Sequence, residues 1–249
     1  MSADNRKKVL AVVHQGHSRT GRVGALLEQR GYIVERCCPN MGEALPQELE
    51  AYSGVVVYGG PMSANDEATQ PGIKTELEWL PRVLDAQVPY LGLCLGAQLL
   101  AKCLGAKVDV HPEGLAEIGY VEIEPVYQQC RIFPQALTVY QWHREGFDLP
   151  VGATLLARGQ SFPNQAYRYG RNAYGLQFHP EVTLEMKEIW TVKAAERLKL
   201  PGAQPREHHI DMHPVHDPAL GAWIDRFLDL WLASKPGASA ERDTAIAAS

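Results

Sequence analysis

The chain has 249 residues, of which 45% are hydrophobic and 21% are charged. This composition is ordinary for a globular protein, and a chain of this length can bury most of its apolar surface without disulfides or metal ions. The formal net charge is -5, and the densest basic cluster, Arg6-Lys7-Lys8, precedes the first predicted strand as a solvated flank. We therefore expect no nucleic-acid partner.

The sequence has no feature typical of a secreted or membrane protein. Its first five residues (MSADN) are polar, and no window approaches the ~20 apolar residues that span a bilayer. The five cysteines are irregularly spaced. Adjacent Cys37 and Cys38 are either a redox pair or, as we favour, buried thiols at the end of a strand. These features predict a protein of a reducing, cytoplasmic compartment without membrane contact.

Strand and helix patterns alternate in the first part of the chain. The predicted strands are 8–14, 32–37, 54–58 and 88–93; the predicted helices are 22–30, a short one before residue 54, and 73–85. Apolar strands interleaved with helices of this kind are typical of a parallel sheet that is covered on both faces.

After residue 107 the pattern changes to successive strands. Those strands are 107–110, 118–124, 137–140, 154–157, 165–169 and 173–178; a helix at 184–198, a Pro- and His-rich loop at 201–218 and a last helix at 220–232 follow. We predict an α/β fold whose mostly parallel central sheet is flanked by helices and extended by a mixed or antiparallel region. Residues 8–233 are expected to form a single domain, residues 1–7 a flexible N-terminus and residues 234–249 a disordered tail.

The segment from Val88 to Gln98 (VPYLGLCLGAQ) carries a candidate nucleophile. An apolar strand runs directly into a helical pattern, and Cys94 lies at the junction between Gly92 and Gly96. A nucleophile elbow requires small residues beside its strained turn, and it places the side chain at the carboxyl ends of the strands. The unpaired N–H groups of the helix would favour the thiolate and could stabilise an oxyanion. The alternative is a buried structural cysteine in a tight turn.

A candidate base follows a later strand in the segment Tyr174 to Glu181 (YGLQFHPE). Pro180 biases His179 towards an extended backbone, in which residues two apart project to the same side. Glu181 can therefore bind one imidazole nitrogen and leave the other free for a thiol, as in a catalytic triad. By itself, this tripeptide would more often be structural.

These two motifs, together with Tyr58-Gly-Gly-Pro61 and Gln141-Trp-His143, give the chain its resemblance to class I (triad-type) glutamine amidotransferases. It is similar to the glutaminase domain of GMP synthase and to its free-standing relatives, from about residue 8 to the helix after residue 181. The resemblance implies a flavodoxin-like amidotransferase fold. It also implies hydrolysis of a γ-glutamyl amide, with release of ammonia, through a thioester on Cys94.

The resemblance further assigns roles around the nucleophile. His179 would be the base and Glu181 its orienting carboxylate, while the backbone N–H groups of Gly60 and Leu95 would form the oxyanion hole. Gln98 would help to bind glutamine, unless it is an ordinary helix residue. No cofactor or metal ion is expected.

The segment around His143 matches a family segment near the α-amino and carboxylate groups of the substrate. His143 is therefore a candidate substrate-binding residue, with a purely structural role as the alternative. Many relatives continue with Gly-Asp, whereas this chain has Arg144-Glu145. The change adds bulk and positive charge at the expected edge of the pocket.

Four of the nine histidines lie between residues 207 and 217. Imidazoles and carboxylates at short spacing can bind zinc. The spacing fits no metal motif, however, and Pro214 and Pro218 argue against a helical set of ligands. We favour a polar loop that links two helices, without a metal.

Three functions remain open from the sequence. A glutaminase would deliver ammonia to a separate synthetase subunit, because the chain has no room for a synthetase domain and no Gly-rich nucleotide loop. A free-standing γ-glutamyl peptidase or hydrolase would act on γ-glutamyl peptides, amines or conjugates, and the Arg144-Glu145 pair leans towards it. A non-catalytic interaction protein is disfavoured by the retention of all three triad residues.

Overall fold

The computed structural model describes residues 7–127 and 130–234. The predicted flexible N-terminus and disordered tail lie outside the described residues, apart from Lys7 and Ser234. The strands are β1 (Lys8–Val12), β2 (Ile33–Cys37), β3 (Tyr52–Val57), β4 (Tyr90–Leu93), β5 (Val108–Val110), β6 (Glu117–Pro125), β7 (Leu137–His143), β8 (Glu145–Phe147), β9 (Ala153–Arg158), β10 (Ala166–Tyr169) and β11 (Ala173–Leu176). The helices are α1 (Gly21–Gln29), α2 (Pro71–Asp85), α3 (Leu95–Cys103), α4 (Leu184–Lys193), α5 (Arg206–Asp211) and α6 (His213–Ala233), with 3-10 turns at Pro39–Met41 and Ala195–Lys199.

Five parallel strands form one half of the main sheet, in the order β2-β1-β3-β4-β11. This order is that of flavodoxin-like sheets. The residues from Val9 to Val12 and from Val55 to Val57 are all buried, because helices cover both faces. The predicted α/β fold is confirmed.

Antiparallel strands continue the same sheet beyond β11, in the order β11-β10-β9-β6-β7. The predicted mixed region is therefore an extension of the central sheet rather than a separate layer. Strands β5 and β8 pair with each other as a short antiparallel ribbon. Strand β11 lies between β4 on its parallel side and β10 on its antiparallel side, so it joins the two halves.

The segment expected to be a His-rich loop is helical, and this prediction was wrong. Its residues form α5 and the first part of α6, which begins at His213 rather than at residue 220. Pro214 lies in the first turn of α6, where its missing N–H removes no helical hydrogen bond. Pro218 lies inside the helix and removes one. The preceding helix is also shorter than predicted, because α4 ends at Lys193 and a 3-10 turn continues it.

Helix α6 closes one face of the sheet with aromatic side chains. Trp223, Phe227 and Trp231 are all buried, and Trp223 stacks on Phe133 with ring centroids 5.0 Å apart. Helices α2 and α3 pack on the opposite face. None of the helices in the described ranges is long and apolar enough to cross a bilayer.

Cys37 and Cys38 are buried, free thiols at the end of β2. Burial raises the pKa of Cys37 to about 11 and raises that of Cys38 as well. A thiol whose ionisation is suppressed in this way is a poor redox nucleophile, which agrees with the structural interpretation.

Candidate active site

Cys94 occupies a strained turn between β4 and α3. Its backbone has φ 49° and ψ -104°, a left-handed conformation that non-glycine residues rarely adopt. A Cβ atom at Gly92 would collide with the backbone of Gly96, and one at Gly96 would collide with the carbonyl oxygen of Val57. Only glycine at both positions lets the strand turn so sharply into the helix. Strain of this kind is common at functional sites and is retained only where the surrounding structure enforces it.

The turn is fixed to the neighbouring strand by a backbone hydrogen bond. The N–H of Cys94 donates to the carbonyl of Leu176 at 2.8 Å, at the end of β11. Because β4 and β11 are adjacent and parallel, with Leu93 opposite Leu176, residues that follow both strands emerge at the same edge of the sheet. This register brings the segment 177–181 to the nucleophile.

His179 is held by its backbone and by a carboxylate. Its N–H donates to the carbonyl of Tyr140 at 2.8 Å, and its Nδ1 lies 2.7 Å from Oε1 of Glu181. The edge of the ring meets Trp190 at a centroid distance of 5.3 Å. The second nitrogen, Nε2, is buried and has no hydrogen-bond partner among the described residues. Nδ1 is thus assigned to Glu181, while Nε2 is available to another group.

Cys94 is the group that faces this imidazole. Burial by itself lowers the pKa of His179, but the negative charges of Glu181 and of the Cys94 thiolate outweigh it and raise the pKa to about 10. Nε2 and the sulfur share no hydrogen bond of standard geometry, as is common for catalytic pairs before a substrate binds. The electrostatics therefore favour a thiolate–imidazolium pair near neutral pH.

The glycines after β3 allow the loop to approach this pair. A Cβ atom at Gly59 would lie 2.6 Å from Cε1 of His179 and 3.6 Å from the Cβ of Cys94. Gly60 packs between His14 and the side chain of Leu95. Leu95 is the first residue of α3, so its N–H has no partner within the helix. The amide of Gly60 likewise donates no backbone hydrogen bond in the described residues. Both amides lie beside Cys94, as an oxyanion hole requires.

A buried pair supports the glycine loop from below. His14 follows β1, and its Nδ1 lies 3.2 Å from the carbonyl oxygen of Gly59, while its Nε2 lies 3.2 Å from Oε2 of Glu76. Burial lowers the pKa of His14, but the charge of Glu76 outweighs burial and raises it. His14 therefore donates to Gly59 from a site that Glu76 fixes on α2.

The carboxylate end of the triad is anchored by α1 and α6. The N–H of Arg22 donates to the carbonyl of Glu181 at 2.8 Å, and its Nη1 donates to the carbonyl of Pro180 at 3.3 Å. The same guanidinium forms an ion pair with Asp217 on α6. Asp217 also pairs with Lys187 at 3.0 Å. The backbone of Pro180 and Glu181 is thus connected to both ends of the chain.

The two candidate substrate-binding side chains line the same pocket, but protein groups occupy their nitrogens. Nε2 of Gln98 donates to the carbonyl of Glu145 at 2.8 Å. His143 places Nδ1 2.9 Å from that same carbonyl oxygen and Nε2 3.1 Å from Glu117. Both side chains therefore hold the loop at Glu145, and direct contact with a substrate stays a prediction.

The pocket in front of Cys94 is an open depression of about 330 Å³. Its wall includes Gly60, Gln98 and His143, together with the charged side chains of Arg144, Glu145 and Arg197. The volume lies at the lower end of the range for small-molecule sites. It suits a small polar substrate better than a protein chain.

A strand–elbow–helix nucleophile, a His–Glu pair and a Gly-Gly loop thus meet at one edge of a flavodoxin-like sheet. Residues 23–193 match the model of the family described as glutamine amidotransferase class-I. The chain belongs to this family. The resemblance inferred from the sequence is confirmed, and membership supports an amidohydrolase enzyme with a glutaminase-type role.

Individual family members resemble the chain over most of their length. The glutamine amidotransferase-like protein YfeJ of Salmonella typhimurium is 33% identical over 189 residues, which cover 73% of this chain and 78% of that protein. The glutamine-hydrolyzing subunit of GMP synthase from Thermococcus kodakarensis is 43% identical over 181 residues, or 70% of this chain and 89% of that protein. A crystal structure of a glutamine amidotransferase from Thermotoga maritima has a TM-score of 0.83 and 31% identity, covering 92% of this chain and 99% of that one.

The family fold also brings residues to the site that the sequence analysis missed. Gln177 donates from Nε2 to the Cys94 sulfur at 3.7 Å, and the spacing of two from His179 was a signal for it. Glu117, His14 and Glu76 are fixed by contacts between distant segments, and no local pattern indicated them. Arg197 was hidden inside a predicted helix.

The histidines of 207–217 lie outside the pocket. His209 is buried, and its Nδ1 lies 2.9 Å from the hydroxyl of Tyr140. His213 contacts Lys187 through Nδ1 at 2.9 Å. Among residues 7–127 and 130–234, no cluster of His, Cys, Asp or Glu has the arrangement of a metal site.

Proposed function

We propose that this protein is a glutaminase-type amidohydrolase in which Cys94 is the nucleophile, His179 the acid and base, and Glu181 the orienting carboxylate. The observation that carries the proposal is the convergence of these side chains. Glu181 binds Nδ1 at 2.7 Å, and Nε2 is left for the sulfur of a strained elbow cysteine.

The first half-reaction forms a thioester. The Cys94 thiolate attacks the side-chain amide carbon of glutamine, and the amides of Gly60 and Leu95 bind the resulting oxyanion. The tetrahedral intermediate collapses by breaking the C–N bond. His179, whose pKa is raised to about 10, gives its Nε2 proton to the nitrogen, and ammonia leaves.

The second half-reaction releases glutamate. Formation of the thioester removes the thiolate charge that helped to raise the pKa of His179, so the neutral imidazole can now act as a base. It takes a proton from water, the oxygen attacks the thioester carbon, and the thiolate departs. Glu181 stabilises the imidazolium each time it forms.

The test of the proposal is turnover together with trapping of the intermediate. Purified protein is assayed for ammonia release from glutamine and quenched in acid, and intact-mass spectrometry looks for a γ-glutamyl adduct on the peptide that contains Cys94. We expect Cys94→Ala to remain folded and to lose several orders of magnitude in rate. Near-normal activity in Cys94→Ala would refute the assignment of the nucleophile.

A separate synthetase subunit is the partner that this function implies. The proposal is supported by the relatives whose names describe them as glutamine-hydrolyzing subunits of GMP synthase. Co-purification of a synthetase, with ammonia release that rises in its presence, is the expected result. A glutaminase rate that no co-purifying protein alters would count against this partner.

A free-standing γ-glutamyl hydrolase is the second candidate, and the Arg144-Glu145 pair favours it. These side chains line the pocket where many relatives have Gly-Asp. The same thioester chemistry serves any γ-glutamyl amide, so a screen of glutamine against γ-glutamyl peptides and amines separates the two. A clear preference for glutamine would exclude this second function. A non-catalytic role would be excluded by a glutamine-like diazoketone that labels Cys94.

A further inference from the structure

Two guanidinium groups line the Cys94 pocket without a partner. Arg144 follows β7, and Arg197 lies in the 3-10 turn at Ala195–Lys199; both belong to the pocket wall. In the described part of the chain, neither side chain makes a hydrogen bond or an ion pair, and Arg197 is partly buried. Other partly buried cations differ, since Arg22 pairs with Asp217 and Lys187 is bound to the same carboxylate.

The two cations also act on each other. Burial lowers the pKa of Arg197, and the positive charge of Arg144 lowers it further, while Cys94 and Glu145 oppose these effects. Like charges that share a desolvated rim repel each other, and an anion placed between them would relieve the repulsion. Guanidinium groups bind carboxylates with two parallel hydrogen bonds, so this arrangement suits a carboxylate in particular.

The pocket carries negative charge on a different part of its wall. Glu145 accepts a hydrogen bond at Oε2 from the hydroxyl of Ser63 at 2.8 Å, and it forms no ion pair with either arginine in the described residues. The cations therefore remain available to a ligand. A separation of positive and negative groups in one small pocket fits a zwitterionic amino-acid substrate.

We propose that Arg144 and Arg197 form a carboxylate subsite of this pocket. The inference rests on the proposed γ-glutamyl amidohydrolase function and names the part of the substrate that is recognised. Arg197 lies beyond residue 193, where the match to the family model ends, so the subsite uses a residue outside that match. The carboxylate belongs either to the glutamyl α-carbon or to the amine that leaves.

A set of matched substrates distinguishes these two sources. The kcat/KM is measured for glutamine, glutamine α-amide, γ-glutamylglycine and γ-glutamylethylamide with the wild type, Arg144→Gln, Arg197→Gln and Arg197→Lys. Arg226→Gln, on the exposed face of α6, is the control for loss of one positive charge. Loss of a charged hydrogen bond to a carboxylate is expected to lower kcat/KM about ten- to one-hundred-fold.

The pattern across substrates decides the source and the inference. If the subsite binds the α-carboxylate, both Gln variants lose activity on every substrate except glutamine α-amide. If it binds the leaving amine, the loss is confined to γ-glutamylglycine. Arg197→Lys should recover part of the loss. An equal loss on all four substrates, or no loss in either variant, would overturn the inference.

A binding measurement separates this inference from the proposed function. Calorimetry with Cys94→Ala protein and glutamate or γ-glutamylglycine is repeated after adding Arg197→Gln. If the wild type hydrolyses no γ-glutamyl amide but binding still weakens at least tenfold without Arg197, the subsite stands and the proposed function fails. If the wild type hydrolyses the amides but binding and kcat/KM ignore both arginines, the subsite alone is rejected.

Discussion

Replacement of Asp217 by asparagine tests the buried charge network that holds the triad segment. The side chain of Lys187 is 0% exposed, and its Nζ lies 3.0 Å from Oδ1 of Asp217, whose own side chain is 11% exposed. The remaining neighbours of Nζ are Nδ1 of His213 at 2.9 Å and the rings of Tyr120 and Tyr140, whose centroids are 5.1 Å and 4.7 Å away. Asp217→Asn keeps the shape but leaves Lys187 without a counter-charge.

The expected cost follows from this burial. Breaking a buried ion pair on one side destabilises a protein by about 3–5 kcal/mol, because the other charge remains desolvated. The slight exposure of Asp217 and the two ring contacts place Asp217→Asn near the lower end, at about 3 kcal/mol. For a chain of this size the same loss corresponds to a fall in Tm of roughly 6–12 °C.

Urea unfolding at pH 7 measures the difference, with the m-value as a check that the cooperativity is unchanged. Asp225→Asn is the matched control, because Asp225 pairs with Arg30 at 2.8 Å but its side chain is 52% exposed; we expect a loss below about 1 kcal/mol. Adding Lys187→Met to Asp217→Asn removes the stranded charge and should restore at least half of the stability. A loss below about 1 kcal/mol in Asp217→Asn, or no recovery in the double variant, would refute the reasoning.

Three further substitutions test the site itself. Gly59→Ala places a methyl group 2.6 Å from Cε1 of His179, so we expect a loss of about 100-fold in kcat, measured by steady-state kinetics. Glu181→Gln removes the charge that raises the pKa of His179, and NMR titration should find that pKa well below 10. Because the folded pKa is raised above 6.5, this group stabilises the wild type below pH 6.5, and the contribution is lost as pH rises through about 10; urea unfolding against pH should give a smaller loss in Glu181→Gln. Glu76→Gln weakens the support of His14 under the glycine loop, and we expect kcat to fall more than KM changes.

Controls for these substitutions are available in the same chain. Gly16→Ala introduces a methyl group 3.7 Å from the side chain of Met41, an ordinary contact, and should leave kcat unchanged. Wild-type kcat in Gly59→Ala would mean that the loop does not restrict the imidazole. An unchanged pKa of His179 in Glu181→Gln would remove the carboxylate from its proposed role, and a Glu76→Gln variant that alters only KM would remove His14 from the support of the oxyanion loop.

Much of the fold follows from local patterns in the sequence. Apolar runs of four to six residues and amphipathic helices identify the elements, since burial on both faces leaves a periodic signature. The elbow at Cys94 is equally local, because Gly92 and Gly96 are required by collisions within a few residues or with the adjacent strand. His179 and Glu181 are two residues apart, so their pairing needs only an extended backbone.

The parts that escaped prediction depend on distant segments. The place of β11 beside β4 joins residues about 80 positions apart, and no local pattern encodes that pairing. Pro214 and Pro218 suggested a loop, but proline at a helix start is compatible with the helix, and the buried aromatic face of α6 stabilises its later turns. Arg197 reaches the pocket only because α4 gives way to a 3-10 turn.

The adjacency of β4 and β11 has a consequence for the order in which activity arises during synthesis. The nucleophile emerges from the ribosome with the first 94 residues, but its proton carrier and the clasp at Asp217 are translated more than 80 and 120 residues later. A nascent chain that stops before β11 therefore has a thiol without its imidazole, and a truncated product cannot hydrolyse amides. Competence comes only when the last third of the polypeptide folds back onto the first.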